Sequence, residues 1–224
     1  MNKTVTLIFL VFIAGCTSTR EVIDRPITFN DQRKELSLRY LEDHYGIKKD
    51  APSIIPKMIV LHWTVIPTLE ESFKTFDPPT LENSRPDLNS AGDLNVSSQF
   101  MVDRDGAIYQ LLPETTMARH VIGLNHCAIG IENIGGTEDL PLTNAQLKSN
   151  IWLVKYLAKK YDIEYLIGHY EYTNFEGHQL WLEKDSGYRT KKTDPGEDFM
   201  QKVRNATKNL NFKPVPEKKD IDVN

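Results

Sequence analysis

The chain has 224 residues, with 27 basic against 31 acidic side chains and a formal net charge of −4. A content of 40% hydrophobic and 26% charged residues is close to that of globular proteins and excludes a generically disordered chain. The length fits one sizeable domain with appendages, and the slight acidic excess argues against a surface that holds a nucleic-acid backbone. We therefore expect a folded body and no nucleic-acid partner.

The first residues have the features of an export signal. Lys3 precedes an apolar run from Val5 to Ala14, and these ten residues are half of the roughly 20 that a membrane-spanning helix needs. The tetrapeptide Ile13-Ala14-Gly15-Cys16 resembles the bacterial lipobox, which implies cleavage before the cysteine and acylation of Cys16. We predict a lipoprotein signal peptide over residues 1–15 and a membrane anchor through Cys16, with an ordinary secretory signal as the alternative.

Between this signal and the first buried strand, the sequence predicts a tether and a helix. Residues 17–30 are polar, contain Pro26 and show no sustained period, which indicates a tether. From Asp31 to Tyr45 the apolar residues recur as in a helix, and Gly46 provides the stop. The lipidated N-terminus, the tether and the helix make up the predicted segment 16–50.

The first buried strand and a long loop follow. Lys57–Trp63 is dense in strand-forming residues, and Met58, Val60 and His62 share one face of the predicted strand. The stretch 64–97 contains a short helical segment but is otherwise a polar loop, and loops of this length are usually functional.

The remainder of the chain alternates strands and helices. Asp105-Gly106 predicts the turn of a β-hairpin, because this dipeptide supplies the positive φ that such turns require. Cys127 lies in an apolar strand and is expected to be a small buried hydrophobe rather than a nucleophile. The alternation implies one α/β domain over residues 51–210, followed by a flexible tail over residues 211–224. The predicted elements are the hairpin strands Gln99–Asp103 and Ala107–Leu112, the strand Cys127–Ile134, the helix Asn144–Tyr161, the strand Tyr165–Tyr170 and the helix Gly196–Leu210.

Three side chains stand where functional residues often occur. His62 and His169 lie at the ends of predicted strands, and Asp194 lies in a turn before the last helix. Two neutral imidazoles and a carboxylate form a ligand set for catalytic zinc, with a fourth position left for water. The three residues are far apart in the sequence and form no short metal motif, so taken alone each histidine is more readily explained by packing or solvation.

Five short blocks surround these residues in a fixed order. They are Leu61-His62-Trp63-Thr64, Ser97-Ser98-Gln99-Phe100 leading into Asp103-Arg104-Asp105-Gly106, Ile129-Gly130-Ile131-Glu132, Ile167-Gly168-His169 and Lys192-Thr193-Asp194-Pro195-Gly196. This order resembles the zinc-dependent N-acetylmuramoyl-L-alanine amidases of the amidase-2 family, whose fold is shared with peptidoglycan recognition proteins and amidase-type phage lysozymes. The resemblance covers roughly residues 55–205 and implies a single α/β domain with a central mixed β-sheet flanked by helices.

The resemblance also implies roles for the matching residues. The ligands for Zn²⁺ fall on His62, His169 and Asp194, and the catalytic residues fall on Glu132 and Lys192.

A second group of residues lies in the segments that line the substrate groove in the family. His120 and Asn125 are predicted substrate contacts, with a structural role as the alternative. Gln99 departs from the family pattern, because many relatives carry His or Tyr there, and any catalytic help from this position is in doubt. Four aromatic residues could stack on sugar rings or pack in the core: Tyr170, Tyr172, Trp181 and Tyr188.

The chemistry of the catalytic residues agrees with the implied roles. Glu132 is a carboxylate in an apolar strand, where burial is expected to raise its pKa unless a nearby dication opposes the shift. Beside an activated water it can accept a proton and deliver it to the departing amine. Lys192 and Asp194 are two residues apart in extended chain and project to the same side, so the ammonium could face an oxyanion. The alternatives are a solvent-facing or ion-paired Glu132 and a solvated pair of Lys191 and Lys192.

Together these features predict a lipid-anchored zinc amidase that cleaves the bond between N-acetylmuramic acid and L-alanine in peptidoglycan or muropeptides. A non-catalytic peptidoglycan-binding lipoprotein on the same fold is the alternative, and the presence of Asp194 and Glu132 favours the enzyme. The lipidated start disfavours a diffusing phage-type lysin. Thr17 follows Cys16 in place of an inner-membrane retention aspartate, so we expect a protein of the cell envelope that faces the periplasm, with the outer membrane favoured. The sequence leaves the oligomeric state open, with a monomer favoured.

Overall fold

The structure, a computed structural model, describes residues 20–81 and 91–218. Across these residues six strands form one mixed β-sheet with helices against its faces, which confirms the expected fold class. The strands are β1 (Val22–Asp24), β2 (Met58–Trp63), β3 (Phe100–Val102), β4 (Ile108–Gln110), β5 (Ala128–Asn133) and β6 (Tyr165–Gly168). The helices are α1 (Asp31–Tyr45), α2 (Leu69–Phe76), α3 (Asn144–Lys160) and α4 (Glu197–Thr207).

The sheet has the strand order β1-β4-β3-β5-β2-β6. The strands β5, β2 and β6 are parallel neighbours, whereas β3 and β4 form an antiparallel hairpin. This hairpin turns through Gly106 at a φ of 89°, as the Asp105-Gly106 pair predicts. Because β5, β2 and β6 run in the same direction, their carboxyl ends meet at one edge of the sheet.

Residues along β2 alternate between two cores, one on each face of the sheet. Met58 and Val60 pack with α1 on one face, and Ile59 and Leu61 pack with α3 and α4 on the other. His62 therefore projects to the α1 face, as its register with Met58 and Val60 predicts.

Local capping explains why the two longest helices occupy their predicted ranges. At the start of α1 the Asn30 side chain accepts a hydrogen bond from the Arg33 N–H, and Gly46 ends the helix in the left-handed conformation with a φ of 70°. At the start of α3 the side chains of Thr143 and Gln146 each accept a bond from the other's backbone N–H, which forms a capping box.

Two segments that the sequence predicts to be loose are packed on the domain. Val22–Asp24, within the predicted tether, pairs in parallel with β4. The sequence does not indicate this strand, because three edge residues are held by backbone hydrogen bonds and are too few to show a period. In the predicted tail, Phe212 and Val215 pack against the cores on the two faces, and the Lys213 N–H donates to the Glu164 carbonyl at 2.8 Å. The expectations of a free tether and a flexible tail are wrong for these residues.

Only one of the two cysteines lies within the described residues. Cys127 is a free thiol in the core, and burial raises its pKa to about 12, which fits the predicted packing role. Cys16 and the predicted signal peptide lie outside the described residues. Across residues 20–81 and 91–218, no helix combines the length and the apolar character needed to cross a membrane.

A partly buried histidine next to α1 is expected to make stability depend on pH. Burial, with a smaller contribution from the Lys49 charge, lowers the pKa of His126 from 6.5 to about 4. The folded state therefore favours the neutral ring, so the free energy of unfolding is highest above pH 6.5 and decreases as the pH falls toward 4. The expected contribution of this group at pH 5 is a loss of about 2 kcal/mol relative to pH 7. Urea unfolding of the wild type and of His126→Gln at pH 7 and pH 5 measures it, and equal losses in both proteins would contradict the assignment.

Candidate active site

The parallel strands bring three predicted site residues to the same edge of the sheet. His62 lies near the carboxyl end of β2, and His169 follows β6 directly. Leu61 is in register with Gly168, so the two histidines are neighbours across the pair of strands. Glu132 of β5 is in register with His62 on the other side of β2, and its side chain projects to the same face.

Asp194 reaches this edge because the segment before α4 is tied to the residues that follow β6. The Tyr170 N–H donates to the Asp194 carbonyl at 3.1 Å. Further along, the Tyr172 hydroxyl donates to the Thr190 carbonyl at 2.8 Å and accepts from the Thr190 N–H at 2.9 Å. These bonds hold the segment beside His169 and so place the Asp194 carboxylate against the two imidazoles.

His62, His169 and Asp194 form a compact buried group, here called the His-His-Asp cluster. The Nδ1 atoms of the two histidines are 2.9 Å apart, and the Asp194 Oδ2 atom lies 3.2 Å from Nδ1 of His62 and 3.0 Å from Nδ1 of His169. Ligands of one tetrahedral ion bound at about 2.0–2.1 Å are roughly 3.4 Å apart, so a small expansion admits the ion. The cluster could therefore hold a metal ion.

The protonation of the cluster also fits a metal site. Burial, followed by the positive charge that His62 would carry, lowers the pKa of His169 to about 4, so the ring is neutral at neutral pH. Burial acts to raise the pKa of Asp194, but the facing His169 and His62 outweigh it and hold that pKa well below its usual range. A carboxylate and neutral imidazoles are the forms in which these side chains bind a metal.

A chain of hydrogen bonds fixes which nitrogen of His62 faces the cluster. The Ala128 carbonyl can only accept, so the His120 Nε2 atom, 3.3 Å away, carries a hydrogen and donates it. Burial, followed by the His62 charge, lowers the pKa of His120 well below 6.5, so this ring is neutral and its Nδ1 atom accepts. The Nε2 atom of His62, 3.0 Å from that Nδ1, is then the donor. The Nδ1 atom is therefore the nitrogen of His62 that faces the other members of the cluster.

These contacts give His120 and Asn125 a structural role, which is the alternative that the sequence left open. Both ring nitrogens of His120 are engaged within the protein. The Asn125 Oδ1 atom accepts from the N–H groups of His120 and Val121, and its Nδ2 atom donates to the Tyr45 hydroxyl at 2.9 Å. These bonds make them residues that position His62. Both residues also line the cleft, so their contact with a substrate stays a prediction.

Gly130 of β5 provides the surface on which the His120 ring lies. A Cβ atom at this position would be 2.8 Å from the His120 Cγ atom, so Gly130→Ala is expected to displace the ring and break its bond to His62. Because such outer contacts orient metal ligands, the affinity for added Zn²⁺ should fall about 10- to 100-fold while the fold is retained. Competition with a chromophoric chelator measures this affinity, and Gly187→Ala in an exposed loop is the control. Equal affinity in both variants would contradict the role of the His120 ring.

Gln99, which departs from the family pattern, is fully buried and bonded to backbone groups. Its Oε1 atom accepts from the Gly130 N–H at 2.7 Å, and its Nε2 atom donates to the Thr116 carbonyl at 2.8 Å. Gln99 thus connects β5, on which the His120 ring lies, to the backbone at Thr116. No catalytic contribution follows from its position.

A cleft opens above the His-His-Asp cluster. Glu132 and Lys192 both line it, together with the buried Tyr188. The Lys192 ammonium is close enough to add to the lowering of the His169 pKa, behind the larger effects of burial and of His62. The cleft therefore combines a carboxylate, an ammonium and a candidate metal site. The other aromatic residues divide between the core and its margin: Tyr172 is buried, and Tyr170 and Trp181 are partly buried.

Three further residues of the cleft were not predicted from the sequence as site residues. Tyr40 of α1 forms part of the wall, and the Arg119 guanidinium lies 5.1 Å from the centre of its ring. Val65 stands at the mouth with a φ of 53°, a conformation that is an outlier for a β-branched residue. Nothing in the sequence indicates that Tyr40 faces a cleft or that Val65 adopts this backbone conformation.

The chain resembles known proteins in sequence and in structure. It is 33% identical over 85 residues to the endolysin of Escherichia phage T7, a match that covers 36% of this chain and 56% of the endolysin. The structure of N-acetylmuramoyl-L-alanine amidase LysC from Clostridium intestinale URNW superposes with a TM-score of 0.53 at 21% identity, covering 87% of this chain and 100% of LysC. Peptidoglycan recognition protein-LE, in complex with tracheal cytotoxin, gives a TM-score of 0.51 at 17% identity, covering 89% and 97% of the two chains. The two structural likenesses establish the fold.

The sequence also matches a protein family over most of the domain. Residues 39–197 match the family described as N-acetylmuramoyl-L-alanine amidase, Amidase_2. This range contains the His-His-Asp cluster, Glu132 and Lys192. The chain therefore belongs to the N-acetylmuramoyl-L-alanine amidase family.

Proposed function

We propose that this protein is a zinc-dependent amidase that cleaves the bond between the lactyl group of N-acetylmuramic acid and L-alanine of the stem peptide. The observation that carries the proposal is the buried His-His-Asp cluster at the base of a cleft lined by Glu132 and Lys192, in a chain of this family. Water adds to the amide carbonyl and the C–N bond breaks, which yields a lactyl carboxylate and a stem peptide with a free amine.

The His-His-Asp cluster holds the ion in this proposal. When bound, zinc polarises the amide carbonyl and lowers the pKa of the attacking water toward about 7. The Ala128–His120–His62 chain of hydrogen bonds orients the His62 ring so that Nδ1 faces the cluster, and the Asp194 carboxylate would partly balance the charge of the ion. The protein therefore supplies an oriented ligand set.

Glu132 is the proton carrier in the proposed reaction. Its register with His62 puts the carboxylate next to the cluster on the cleft side. From there it accepts a proton from the attacking water and delivers it to the leaving amine, which cannot depart as an anion. Lys192, on the other wall of the cleft, stabilises the negative charge that develops on the carbonyl oxygen.

We also propose that the enzyme acts from a membrane surface within the cell envelope. The support is the lipobox-like Ile13-Ala14-Gly15-Cys16, with acyl chains on Cys16 and Thr17 in the position that sorts lipoproteins. An anchor on the outer membrane that faces the periplasm would hold the cleft near the cell wall, where turnover of muropeptides takes place.

The test of the activity uses a form of the chain that begins at Thr17. It is incubated with purified muropeptides, with and without a chelator, and the products are identified by mass spectrometry. The proposal expects release of free stem peptide, loss of release with chelator and recovery with added Zn²⁺. Binding of muropeptides without release in any condition would favour a recognition protein, and release that is indifferent to the chelator would contradict the metal.

A further inference from the structure

We propose that the outer face of α3 rests on the lipid surface to which Cys16 is anchored, so that the catalytic cleft faces away from the membrane. The inference rests on the proposed acylation of Cys16 and is independent of the proposed hydrolysis. Two observations carry it: the side chains on α3 and the place at which the N-terminal segment joins the domain.

The composition of α3 is unusual for this acidic chain. Its 17 residues, NAQLKSNIWLVKYLAKK, include four lysines and no acidic residue, whereas the whole chain has a formal net charge of −4. One of the four, Lys160, is paired with the carboxylate of Glu114. The other three are exposed, and α3 therefore presents a local positive charge that suits an anionic lipid surface.

The three exposed lysines and two aromatic residues form one stripe along the helix, here called the α3 stripe. Its members follow helical spacing along the outer side of α3, where Trp152 is half-buried against the neighbouring core: Lys148, Trp152, Lys155, Tyr156 and Lys159. The rings of Trp152 and Tyr156 stack with centroids 5.3 Å apart and an interplanar angle of 6°. Tyr156 is 36% exposed, so a large aromatic surface lies between the lysines. Aromatic rings flanked by lysines are typical of segments that lie in a membrane interface.

The N-terminal segment reaches the domain at the same helix. The Arg20 guanidinium donates to the Ser149 hydroxyl of α3 and to the Gly106 carbonyl. Val22 then packs against the same core as Trp152. Three residues lie between Cys16 and Arg20, so four residue-to-residue steps connect them, and these span at most about 14 Å. Acyl chains on Cys16 therefore hold the membrane surface close to α3.

The topology then sets the direction of the active site. The helix α3 packs on the face of the sheet that carries Ile59 and Leu61, whereas His62 and Glu132 project from the opposite face. With α3 against the lipid, the cleft points away from the membrane, toward a substrate in the cell wall. The same observations explain why a short attachment between Cys16 and the domain is compatible with activity.

The test measures quenching of tryptophan fluorescence in the full-length protein. The protein is purified from the membrane, its acylation is verified by mass, and it is reconstituted in phosphatidylethanolamine–phosphatidylglycerol vesicles with brominated acyl chains. We expect quenching that Trp152→Phe reduces by more than half, because Trp152 belongs to the α3 stripe, whereas Trp63 lies beside Asn144 at the N-terminal end of the helix. The triple variant Lys148→Glu, Lys155→Glu, Lys159→Glu should lose at least half of this quenching, since it reverses the charge of the α3 stripe. The control, Lys34→Glu, Lys48→Glu, Lys184→Glu, changes three lysines on or near α1 and should behave as the wild type.

Several results would overturn the inference. These are a Cys16 without acyl chains, quenching that does not depend on Trp152, equal quenching in the two triple variants, and a stripe variant that loses binding to isolated cell wall rather than contact with lipid. Hydrolysis of soluble muropeptides should be unchanged in both triple variants, which shows that they fold and separates this test from that of the amidase activity.

Discussion

Replacing Asp194 with alanine is expected to remove bound zinc and, with it, release of stem peptide. The Asp194 Oδ2 atom and the Nδ1 atoms of His62 and His169 lie within 3.2 Å of one another, and the Asp194 carboxylate is the only negative charge in the His-His-Asp cluster. Without it two imidazoles remain, and their affinity for a divalent ion should fall by more than about 100-fold, since changes to outer contacts alone reach 10- to 100-fold. Metal content after dialysis and the rate of stem-peptide release measure the two effects.

The control for this variant is Asp198→Ala, four residues further along. Asp198 is exposed at the start of α4, away from the cluster, and pairs with the exposed Lys202 at 2.6 Å, so its loss should leave metal content and hydrolysis unchanged. The Asp194→Ala protein should remain folded, because its backbone carbonyl still accepts from the Tyr170 N–H. Wild-type metal content and hydrolysis in Asp194→Ala would show that the cluster is not the metal site of the enzyme.

The fold was predictable where the signal is local. The helix α1 runs over the predicted residues because the residues that end it are local. The Asn30 side chain caps its start, and the backbone of Gly46 adopts the left-handed conformation that ends it. The strands β2 and β5 are dense in apolar residues and were found within a residue or two of their observed ends. In contrast, the three residues of β1 acquire their strand pairing only from β4, more than 80 positions away in the chain.

The candidate site was predictable in its residue types but not in its internal contacts. The cluster residues came from the order of the sequence blocks, and the meeting of strand ends explains why residues so far apart converge. The role of His120 depends on the space above Gly130 and on the Ala128 carbonyl, which no pattern around His120 indicates. A substrate role and a structural role for His120 and Asn125 therefore fitted the sequence equally well, and the hydrogen bonds show the structural one.

Replacing Glu132 with glutamine should separate catalysis from metal binding. The amide has nearly the same shape as the carboxylate, and Glu132 is not a member of the His-His-Asp cluster, so the variant should bind zinc and fold as the wild type does. It cannot accept a proton from water, however, and the loss of a positioned general base reduces rates by about 10²- to 10⁴-fold. We expect kcat for stem-peptide release to fall within that range while the metal content stays unchanged.

The matched control is Glu114→Gln, which neutralises another buried glutamate on the far side of the sheet. Glu114 pairs with Lys160 of α3 and does not line the cleft, so this variant should keep the wild-type kcat even if it lowers the melting temperature. Binding of muropeptides, measured by calorimetry, should persist in Glu132→Gln, because the cleft walls are intact. A Glu132→Gln protein with zinc bound and an undiminished kcat would move the proton transfer to another group. If the wild type bound muropeptides as tightly as the variant and neither released product, the protein would be a receptor on an amidase fold.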